Sequence, residues 1–117
     1  MKSVRLASLF AIAVLSAPTL APAADAEAGL AVVKTLGTVN GQALACSEMA
    51  VATRARQLML AHAPKTPRFG GAYEEATNES FNAQTRSGQP CPNATELTAR
   101  INQLALQLAD TLPVTAK

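Results

Sequence analysis

The chain has no tryptophan, one tyrosine and three phenylalanines, so aromatic residues make up only 3% of its 117 positions. Binding of single-stranded nucleic acid or sugar by stacking draws on several such rings, and their scarcity argues against both ligand classes. Histidine occurs once, at His62, with no acidic residue beside it. The Gly-x-Ser-x-Gly, Ser-x-x-Lys and Cys-x-x-Cys-His patterns are absent, which removes the common sequence signatures of a serine nucleophile and of attached haem. No alternating polar–apolar run exceeds four residues, so there is no strand signal. No apolar run reaches the ~20 residues that span a bilayer.

What is present begins with a targeting pattern. Met1-Lys-Ser-Val-Arg5 is positive, Leu6 to Ser16 is apolar and uncharged, and Ala21-Pro22-Ala23 is a small-residue cleavage site. That order of features predicts a secretory signal peptide over residues 1–23, with cleavage after Ala26 as the alternative. Residues 24–117 then form a single helical domain of three or four helices. The full chain has a formal net charge of +2. Lys2 and Arg5 belong to the leader, and without them basic and acidic residues balance at eight each. A neutral domain lacks the positive footprint of a nucleic-acid binder. No later apolar run approaches the ~20 residues of a membrane span, so no stable membrane insertion is expected after the leader is removed.

Two cysteines in an exported chain pair with each other, because the compartment is oxidising. The only connectivity is Cys46 to Cys91.

Helical periodicity fills the rest. Leu30, Val33 and Leu36 lie at helical spacing within Asp25–Leu36. Gly37-Thr-Val-Asn-Gly41 allows two readings: a break or kink, since each glycine costs about 1 kcal/mol inside a helix, or an unbroken helix whose glycines admit a close neighbour. The first is favoured. From Gly41 to Ala63 the pattern is one long helix with two apolar faces. One face carries Leu44, Val51, Ala55, Leu58, Met59 and His62; the other carries Cys46, Met49, Thr53 and Leu60. Two faces require partners on two sides, which places this helix at the centre of the domain.

Pro64 stops that helix, and Pro64–Gly71 reads as a loop. Ala72–Arg86 is a helix with a thin apolar face, and Gln89-Pro-Cys-Pro92 is a rigid connector. Asn93 and Glu96 match a capping box, followed by the cleanest amphipathic stripe of the chain at Leu97, Ile101, Leu104 and Leu108.

Candidate sites are few. His62, in the last turn of its helix, suits a capping or packing role. Met59 lies one turn before it, and thioether with imidazole is a donor pair that suits copper(I), although two ligands are too few without a second chain. Glu74, Glu75 and Glu79 read as a solvated face. Arg54, Arg56, Lys65 and Arg68 form a basic block that is followed by those acids, as in a hairpin of two helices held by opposite charge. Within the loop, Lys65, Arg68 and Phe69 combine orienting charges with a ring that gains by burial, which are the requirements of a partner-binding surface. Phe69 tucked into the core is the competing reading.

The expectation is a small, exported, non-enzymatic helical protein of a bacterial envelope that binds another envelope protein and needs no cofactor. A stress chaperone, an inhibitor and an accessory subunit all fit that description. The alternative from another class is a periplasmic copper carrier that uses Met59 and His62.

Overall fold

A computed structural model of the chain describes residues 21–114, so the leader read at residues 1–23 lies almost entirely outside them. The described residues form four helices and no strand: α1 (Ala21–Ala45), α2 (Met49–His62), α3 (Pro67–Ser87) and α4 (Ala94–Thr111). The all-α fold expected from periodicity is what the chain adopts.

The spine of the fold is α1 and not a helix running from Gly41 to Ala63. α2, α3 and α4 all pack on α1, and α2 and α4 also pack on each other. Val33, Leu36, Val39 and Ala43 of α1 are buried against Val51, Ala55 and Leu58 of α2 and Leu97, Ile101, Leu104 and Leu108 of α4. Full burial of a leucine such as Leu97 or Leu108 stabilises the fold by about 1.5–3 kcal/mol.

α1 passes unbroken through Gly37 and Gly41, against the break favoured from the sequence. Both glycines face α3. A Cβ on Gly37 would stand 2.6 Å from the carbonyl oxygen of Tyr73, and one on Gly41 would meet the carbonyl of Thr77 and, at 2.8 Å, the Phe81 nitrogen. The cost of two glycines in a helix is offset by what it permits, which is backbone-to-backbone contact between α1 and α3. Asn40 Nδ2 donates to Thr77 Oγ1 (3.2 Å), and Ser80 Oγ donates to the Thr38 carbonyl (2.6 Å), on either side of this contact.

The chain breaks instead at Cys46-Ser47-Glu48. Ser47 takes a left-handed conformation, φ 60°. Its N–H donates to the Leu44 carbonyl (3.3 Å) and the Glu48 N–H donates to the Ala43 carbonyl (2.8 Å). This pair of bonds is a Schellman motif with serine where glycine is usual, which explains why no punctuation residue announces it. The consequence for the two-faced pattern is direct. Val51, Ala55 and Leu58 are buried, whereas Met49, Thr53 and Leu60 face solvent.

α3 starts at Pro67, five residues before the expected Ala72. Thr66 is its N-cap and Pro67 occupies the first helical position, where a missing N–H costs nothing. The expected loop shrinks to Ala63–Thr66, because Gly70 and Gly71 are accommodated inside α3 rather than acting as hinges. α3 ends at left-handed Gly88, φ 65°. α3 does not fold beside α2; it packs on α1 alone, so the charge-locked hairpin does not form. The ion pair found among the described residues joins Arg68 to Glu27 of α1.

Asn93 caps α4 as read from the sequence, its Oδ1 accepting from the Glu96 N–H (2.8 Å). The disulfide Cys46–Cys91 is present, with Cα atoms 5.7 Å apart. It ties the turn between α1 and α2 to the connector that leads from α3 to α4.

Candidate interaction surfaces

The loop residues singled out from the sequence separate in space. Phe69 is buried to 5% exposure in the core cluster, because α3 begins early enough to bring its first turn against that cluster. Lys65 is exposed, and its Nζ donates to the Leu60 carbonyl (3.2 Å), capping the end of α2. Arg68 is exposed and is held by Glu27. Lys65 and Arg68 thus lie on the surface, while the ring that follows Arg68 is part of the interior, as the competing reading of Phe69 has it.

Lys65 also lines an open cleft of about 700 Å³ at the shared end of α2 and α4. Its walls are Leu60, Ala61, His62, Ala63 and Pro64 from one side and Thr111, Leu112, Pro113 and Val114 from the other. Leu60 is 63% exposed and Val114 58% exposed, so both walls present apolar surface to solvent. His62 holds the two walls in register, its Nδ1–H donating to the Leu112 carbonyl at 2.7 Å. That bond caps the end of α4, whose C-cap is Leu112, and not the end of His62's own helix; because a carbonyl only accepts, Nδ1 carries the hydrogen. Met59 is half-buried and packs against the core cluster. The cleft was not legible in the sequence because Leu112–Val114 are far from Leu60 in the chain, and Leu60 read as part of a face packed on a partner helix.

A second depression, about 380 Å³, lies over α1 where α2 and α3 flank it without touching. Asn40, Leu44, Met49, Ala52, Thr53, Arg56, Tyr73 and Glu74 line it. Arg56 and Glu74 thus put opposite charges on opposite walls. The Tyr73 hydroxyl is buried and has no hydrogen-bond partner. Loss of solvation pushes its pKa up to about 12, with the Arg56 guanidinium pulling weakly the other way.

Glu74, Glu75 and Glu79 are exposed on α3, as expected of a solvated face; Glu75 and Glu79 border Lys34 of α1 in a shallow hollow. No group of three or more histidine, cysteine or carboxylate side chains converges among the described residues. No helix among them is long and apolar enough to cross a membrane. No protein-family model, curated protein or solved structure matches the chain.

Proposed function

We propose that the chain is a small exported protein of a bacterial envelope that acts by binding another envelope protein and carries out no reaction itself. The observation that supports this most is the cleft at the shared end of α2 and α4, where Leu60 and Val114 are exposed beside Lys65. Apolar side chains around a cation supply both burial energy and an orienting charge for a partner. The positive start, apolar run and Ala-x-Ala site of residues 1–23 support export, and the Cys46–Cys91 bond suits an oxidising compartment. The cleft stands open in the folded protein, which favours an inhibitor or accessory subunit over a chaperone that unmasks its surface only when partly unfolded.

The test is capture of the partner by wild type and by the double variant Lys65→Ala, Arg68→Ala. The variant loses the exposed Arg68–Glu27 ion pair and the Lys65 bond to the Leu60 carbonyl, each worth about 1 kcal/mol or less, so the melt should fall only slightly. Capture should weaken, and its dependence on salt should flatten. Unchanged capture by the variant would place binding away from this end of the molecule.

A further inference from the structure

The outward face of α2 carries Met49, Thr53, Arg56 and Leu60, spaced four, three and four residues apart. This is the spacing of a helix-pairing seam, and all four residues are exposed. Met49 and Leu60, at its two ends, are 57% and 63% exposed. The spacing reads the same in both directions. An antiparallel copy of α2 laid on the seam, with the two-fold axis between Thr53 and Arg56, therefore sets Met49 against Leu60 of the second copy and Thr53 against Arg56, each pair occurring twice. Such reciprocity is the requirement of an isologous interface.

Three further observations fit a second copy of this chain as the occupant. The seam borders the groove over α1, so the second copy's α2 has a trough to settle into, where Leu44 is still 37% exposed. Arg56 and Glu74 stand on opposite walls of that groove, so the central cations of the seam have a carboxylate on each copy to face. Antiparallel pairing also sets the amino end of each α2 beside the carboxyl end of the other, an arrangement that helix dipoles favour. We propose that the protein forms a reversible two-fold dimer through antiparallel pairing of α2. Leu60 also lines the cleft at the end of α2, so Met49 of the second copy covers part of that wall and the reversible dimer competes with a partner docked there.

Sedimentation velocity on the purified protein across a wide concentration range, together with directed cross-linking, tests this. Mass should move from one to two chains as concentration rises. Met49→Glu removes the apolar contact at each end of the seam and should weaken association by about tenfold or more, while the melt measured at dilutions where single chains prevail stays unchanged because Met49 is exposed. A mixture of Met49→Cys and Leu60→Cys proteins should yield a mixed cross-linked pair on mild oxidation, while neither variant cross-links efficiently to itself. A single-chain mass at every concentration up to about 1 mM would overturn the proposal. Self-cross-linking of Met49→Cys would overturn it as well, because it signals a parallel register. Dimerisation unaffected by Met49→Glu would do the same, since the interface would then lie elsewhere.

Discussion

Gly41 of α1 lies against the Thr77 carbonyl of α3 so closely that a Cβ at position 41 has no room. The nearest atoms belong to backbone and cannot rotate away. Gly41→Ala therefore pits a gain of about 1 kcal/mol in helix propensity against overpacking that costs roughly 1–3 kcal/mol. Because the obstruction is backbone, the second effect should win. Denaturant unfolding is expected to show a net loss of stability, whereas Gly71→Ala, which meets nothing within 4 Å, should be neutral or stabilising.

The disulfide joins residues 45 apart in sequence. In the chain-entropy account a loop of that size restricts the unfolded chain by about 4 kcal/mol. Cys46→Ser should lower stability by roughly 2–5 kcal/mol, and thermal melts of the wild type with and without reductant should differ in the same sense. Equal midpoints would mean that the bond adds nothing to the fold.

Tyr73 gives a prediction with a sign. Its folded-state pKa is pushed up to about 12 from 10.0 by burial, so the folded protein holds the phenolic proton where the unfolded chain has released it. Stability is unaffected below pH 10 and falls as pH rises between the two values. Tyr73→Phe should remove that alkaline loss. At neutral pH it should leave stability level or higher by up to about 1 kcal/mol, since it deletes a hydroxyl that has no partner. Unfolding curves of both proteins at pH 8 and pH 11 measure this.

Much of the fold was legible in the sequence where one local rule acts alone. The Leu97–Leu108 stripe, the Asn93 cap, the stop at Pro64 and the Cys46–Cys91 pair all follow from spacing and residue chemistry, and the structure has them. The misreadings came where a tertiary contact overrode a local preference. Gly37 and Gly41 look like helix breakers in isolation, but α3 packs on them and turns their missing side chains into an advantage. Ser47 ends α1 through a left-handed turn that glycine normally marks. Pro67 and the paired Gly70 and Gly71 look like a loop, yet Pro67 sits where helices tolerate proline best. Of the candidate surface, Lys65 was visible, while Leu60 read as a packed face and Val114 could be joined to them only by the packing of α4 on α2.

The binding role rests on the cleft between the ends of α2 and α4, and site-specific photo-cross-linking in cells tests it most directly. A photoreactive residue placed at Lys65 or Val114, both exposed at the cleft, should give one discrete adduct of common mass with an envelope protein. The same residue at Asn78, exposed on α3 and outside the cleft, should give none. Adducts of equal yield at all three positions, or none at Lys65 and Val114, would contradict a partner-binding cleft at this end of the molecule.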